Sequence, residues 1–102
     1  MHTFNVNLTN MVLGAKAITV ENIEKHRADY SDVLDRGVIL TSVTATVTGA
    51  STVVDEEMAR DRKSIVWFIH ASDEPEEIEL TITVTTNDGQ TLTNKVRYVI
   101  VE

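Results

Sequence analysis

The segment 78–101 constrains the fold most. From Ile78 to Thr85 the even positions are apolar (Ile78, Leu80, Ile82, Val84), and the odd ones are Glu79, Thr81, Thr83 and Thr85. An alternation of period two puts one face into a core and the other into water, which is a half-buried strand. From 92 to 101 the inward set is again mostly even (Leu92, Val96, Tyr98, Ile100), with Asn94 as the exception. Asn87-Asp88-Gly89 lies between them. A two-residue Asp88-Gly89 loop would pair even positions with odd ones and set the two apolar faces against each other. A three-residue loop pairs Val84 with Leu92 and Leu80 with Val96. It also puts Gly89 where a type I turn with a G1 bulge needs a positive φ.

The same period recurs upstream. In 38–49, Ile39, Val43, Ala45 and Val47 are expected to face in, and Leu40, Ser42, Thr44 and Thr46 out, between Gly37 and Gly49. In 64–70, Ile65, Trp67 and Ile69 line one face, and Val66 and Phe68 the other. Apolar residues on both faces mean either a central strand covered on both sides or an outer face held against a partner; cover within the fold is the expected reading. Residues 51–54 form a short strand at most. The run 55–63, with good helix formers and no Gly or Pro, reads as one helical turn or a charged loop. Phe4, Val6 and Leu8 alternate, so 3–8 reads as a strand, with 17–20 as a second. Residues 20–34 read as extended or irregular.

Helical signal is slight, and short strands with turn signals between them imply an all-β fold: an immunoglobulin-like β-sandwich of about five to seven strands. At 102 residues, the chain is one unit. It divides into an N-terminal arm or set of extra strands (1–28), expected to contact a partner, and the sandwich proper (29–102). With 42% apolar residues, disorder over the whole length is excluded; with no Cys, so are disulfides and thiol chemistry.

The net charge is −7, and Asp73, Glu74, Glu76, Glu77 and Glu79 account for five of it. An acidic chain repels phosphate, so nucleic acid is not an expected partner. No apolar run reaches the ~20 residues of a membrane span, and the N-terminus has no signal-peptide pattern; no membrane partner is expected.

His70 with Asp73, Glu74, Glu76 and Glu77 is the one cluster with metal-like composition, but its spacing matches no calcium loop. A solvated turn shaped by Pro75 is the expected reading, with an acidic knob against a basic partner as the functional one. The other histidines and the serines lie in no nucleophile motif, and no Gly-rich phosphate loop is present. A chain without enzymatic activity, cofactor or metal is expected. Tyr30 reads first as packing over one end of the sandwich and second as an anchor at the seam with the arm. The candidate partner-binding residues are Phe4, Val6, Leu8, Met11, Leu13, Tyr30, Asp73, Glu74 and Glu76.

Four stretches carry a resemblance: Asp29-Tyr30-Ser31-Asp32-Val33-Leu34, Gly37-Val38-Ile39, Val66-Trp67-Phe68, and Thr85-Thr86-Asn87-Asp88-Gly89-Gln90-Thr91. Over about 29–101 the chain resembles small immunoglobulin-like phage virion proteins. It departs from them in the acidic 70–77 turn and in the N-terminal segment. The resemblance implies a non-enzymatic virion structural protein assembled in the host cytoplasm. First among such roles is a capsid decoration (cement) protein on the major capsid protein lattice. A head–tail or fibre–tail adaptor bound to other virion structural proteins comes next, and a homo-oligomer is allowed for. A free immunoglobulin-like adhesion module is the rival class.

Overall fold

The computed structural model describes residues 1–7, 11–49 and 52–102. Eight strands run through them: β1 (His2–Asn5), β2 (Val12–Thr19), β3 (Ile23–Asp29), β4 (Leu40–Val47), β5 (Val53–Met58), β6 (Ser64–His70), β7 (Glu76–Thr86) and β8 (Thr91–Val101). They form two four-stranded sheets, β1-β3-β6-β5 and β2-β8-β7-β4, packed as an all-β sandwich. β1 runs parallel to β3 and β2 parallel to β8; the remaining pairs are antiparallel.

The β7–β8 hairpin has the register read from its alternation: Val84 lies opposite Leu92 and Leu80 opposite Val96. The Gly89 N–H donates to Thr86 O at 3.2 Å, and Gly89 has φ +89°. The even positions Ile78, Leu80, Ile82 and Val84 meet Val96, Tyr98 and Ile100 in the core. Trp67, on the interior strand β6, fills the space between the sheets with Ile65 and Ile69. Fully burying each such side chain stabilises the fold by about 1.5–3 kcal/mol.

Four expectations are corrected. First, the described residues hold eight strands rather than five to seven, because the N-terminal segment joins both sheets. The described part of residues 1–28 holds β1, β2 and most of β3, which matches extra strands and not an arm, and a division after residue 28 falls inside β3. Phe4, Val6, Ile18 and Ala28 are core residues. Second, residues 53–58 form β5, despite their helix formers. Pairing along β6 from Val53↔His70 to Met58↔Ile65 satisfies this backbone, and that tertiary pairing overrides local propensity. Third, Leu40 points inward and is fully buried. The register of β4 against β7 slips between Leu40 and Ser42, and this bulge turns Leu40 to the other face. Fourth, the outer face of β6 is not covered within the fold, since Phe68 is 43% exposed.

Candidate docking surface

The outer face of the first sheet is built by side chains that alternate with the core set. β6 runs between β3 and β5, and three rows cross it: Ile23–His70–Val53, Lys25–Phe68–Asp55 and Arg27–Val66–Glu57. Ile23 is 60% and Val53 55% exposed, beside the exposed Phe68 and the half-buried Val66. The Lys25 ammonium lies over the Phe68 ring, 5.6 Å from its centroid, a cation–π contact on one face of a ring that is still 43% exposed. Arg27 pairs with Asp29 at 3.6 Å, and His70 with Asp55 at 3.4 Å. These side chains form a contiguous apolar strip with a basic margin on β3 and an acidic margin on β5.

Behind that face lies a buried polar network. Trp67 Nε1–H donates to the Tyr98 hydroxyl oxygen at 3.0 Å. Tyr98 Oη is 2.6 Å from His26 Nδ1, and His26 Nε2 is 3.0 Å from Glu24 Oε1. An indole N–H only donates, so the Tyr98 O–H is free to donate to Nδ1. In the neutral His26 that burial favours, Nδ1 accepts from the Tyr98 O–H and the Nε2–H donates to Glu24. Burial pushes the His26 pKa below its ordinary value; the Glu24 carboxylate pulls the other way and does not win. Burial alone would raise Glu24, but its hydrogen bonds with His26 and Lys16 outweigh that and hold it low. Lys16 completes the chain at 3.3 Å. The network ties β3 and β6 of one sheet to β8 of the other. Beside it an open cleft of ≈ 390 Å³ is lined by Met1, His2, Lys16, Glu24, Lys25 and His26.

The candidate residues read from sequence do not converge on one surface. Phe4 and Val6 are buried, Phe4 lying nearly parallel to Trp67 with centroids 6.2 Å apart. Tyr30 is fully buried; it is a core residue and not a surface anchor. Leu13 is half-buried against the core, and Met11 is 61% exposed at the other sheet. Leu8 lies outside the described residues. Asp73 and Glu74 are exposed, while Glu76 accepts a hydrogen bond from Thr52 Oγ1 at 2.7 Å and is partly covered. Among the described residues, no group of three or more His, Asp or Glu is placed to hold a metal ion. Sequence reasoning missed Ile23, Val53 and the charged margins as one surface. The signal was the doubly apolar β6, already visible as Val66 and Phe68.

No protein-family model and no curated protein matches this sequence. Among solved structures, the fold is similar to part of a 2,6-sialyltransferase from Vibrionaceae Photobacterium sp. JT-ISH-224, crystallised with CMP and lactose, at 17% identity and a TM-score of 0.56. The likeness covers 93% of this chain, which spans only 19% of that protein. At this identity it is a likeness of fold. It corrects the expectation that enzymatic function is excluded: a sandwich of this shape occurs inside an enzyme.

Proposed function

We propose that this chain is a protein-docking module of a phage particle, a capsid decoration protein by first reading and a head–tail or fibre adaptor by second. The observation that carries docking is the outer face of the first sheet. Small soluble domains rarely leave a Phe, an Ile and a Val together on an open sheet face without a partner for them. The phage setting comes from the resemblance in the Asp29–Leu34, Gly37–Ile39, Val66–Phe68 and Thr85–Thr91 stretches. An eight-stranded sandwich with a rigid core suits such a role, because docking to a lattice or ring needs a fixed shape. A further reading, favoured by the likeness to part of a sialyltransferase, is an accessory sandwich within a longer polypeptide.

Quantitative mass spectrometry of purified particles tests these readings. A ratio near one copy per major capsid subunit, or per few, supports decoration; a handful of copies per particle supports an adaptor. Absence from the particle overturns the phage assignment. Recovery in a polypeptide several times longer than this chain supports the accessory reading.

A further inference from the structure

The docking face has a charge order that specifies its partner. In the rows across β6, the bases Lys25 and Arg27 lie on the β3 side and the acids Asp55 and Glu57 on the β5 side; the one acid on the β3 side of this face, Asp29, is already paired to Arg27 at 3.6 Å. The third row has Ile23 on the β3 side and Val53 on the β5 side. Consider a second identical face stacked on the first and related by a two-fold axis parallel to β6. Such an axis exchanges the β3 and β5 sides and keeps the height along the strand. Lys25 then faces Asp55 of the other copy, Arg27 faces its Glu57, and Ile23 faces its Val53. Phe68, Val66 and His70 each meet their own counterparts. A two-fold axis in the plane but across the strands would lay bases over bases and acids over acids. Only the strand-aligned arrangement pairs every row with its complement.

Building on the docking reading of this face, we propose that its partner is a second copy of this chain, bound face to face in an isologous dimer. Aligned stacking of two sheets at ~10 Å is an ordinary packing of β-faces, and closed two-fold symmetry is the commonest form of homo-oligomer. The margins contribute orientation and the apolar strip contributes affinity. Four strands ~4.8 Å apart and about seven residues of ~3.3 Å give a face roughly 20 Å on a side. That is about 400 Å² per copy, roughly half of a standard interface, so the dimer is weak and in exchange with its monomer. The proposal adds no burden to the fold, since each of these side chains is already outside the core.

The test uses the full chain and charge-reversed variants in sedimentation equilibrium over a wide concentration range. Lys25→Glu with Arg27→Glu makes both margins acidic; Asp55→Lys with Glu57→Lys makes both basic. Each variant alone is expected to weaken self-association about tenfold or more. Mixing the two restores a dimer, and combining all four substitutions in one chain restores the homodimer. Circular dichroism confirms that each variant is folded. A wild-type chain that stays monomeric throughout, or reversals that change nothing, or a mixture that fails to associate, overturns the dimer. Phe68→Ser separates this from the docking reading itself. If the wild type is monomeric yet Phe68→Ser loses incorporation into particles, the face docks another protein and only the dimer falls. If Phe68→Ser affects neither self-association nor incorporation, both fall.

Discussion

Two tyrosines of the core differ in one respect, which makes the same substitution predict opposite outcomes. Tyr30 and Tyr98 are both essentially fully buried. The Tyr98 hydroxyl accepts from Trp67 and donates to His26. The Tyr30 hydroxyl has no hydrogen-bond partner among the described residues. Tyr98→Phe therefore orphans two buried groups, the Trp67 N–H and His26 Nδ1. At about 1–3 kcal/mol for each buried group left unsatisfied, the loss is about 2–4 kcal/mol once partial relaxation is allowed for. Tyr30→Phe removes a buried hydroxyl that returns nothing for its lost hydration, so the expected change is between zero and a gain of about 1 kcal/mol. Urea unfolding followed by tryptophan fluorescence measures both. With a slope of about 1–2 kcal/mol per molar for a chain of this size, the Tyr98→Phe midpoint should fall by roughly 1–4 M, while Tyr30→Phe holds or rises. Equal shifts for the two variants, or a Tyr98→Phe loss below about 0.5 kcal/mol, would refute the hydrogen-bond order assigned to the network.

Acid should destabilise the fold through His26. Its pKa is depressed by burial, so the unfolded chain takes up a proton where the folded chain does not. Stability is therefore complete above the unfolded value near ~6.5 and declines as pH falls below it; His26→Gln should flatten that slope between neutral and mildly acid pH in thermal melts. Gly89→Ala should cost about 1 kcal/mol because of its positive φ, and an unchanged denaturation midpoint would count against the turn assignment. Deleting residues 1–28 should leave a chain that no longer folds, since the cut removes β1, β2 and nearly all of β3; a cooperative melt from the truncated chain would show that these strands are dispensable.

The legible parts of the fold are those where local chemistry and tertiary pairing agree. The β7–β8 hairpin was readable to single-residue register because its alternation is strict and Gly89 marks the turn. β3 was not, because its pattern is inverted: Ile23 points out, and the buried His26 points in. That choice makes sense only with Tyr98 and Glu24 in place, and Tyr98 lies 72 residues away. β5 was hidden for a related reason, since its Asp-Glu-Glu-Met run is held by pairing with β6 and by nothing in its own propensity. Tyr30 is fully buried, so it is a core residue; an amphipathic side chain does not announce on which side of the surface its hydroxyl lies.

The two outer faces of the sandwich act as controls for each other. The second sheet meets water with threonine rows such as Thr44–Thr83–Thr93, and with Glu79 paired to Lys95 at 3.2 Å and to Arg97 at 3.6 Å. Threonine keeps high β-propensity without exposing a large apolar side chain, so this chain has a working solution to an exposed sheet face. Its exposed valines there lie at the margins, Val12 at the start of β2 and Val99 and Val101 at one end of β8. The first sheet departs from that solution at its centre, where Phe68 stands on an interior strand between two charged margins. A threonine at Phe68 would serve strand formation as well and the core equally, because the core contacts of β6 are made by Ile65, Trp67 and Ile69. Folding therefore does not explain Phe68, nor the ordered separation of Lys25 and Arg27 from Asp55 and Glu57. Association with a complementary face, as proposed above, would account for both, with folding on one side of the strand and binding on the other.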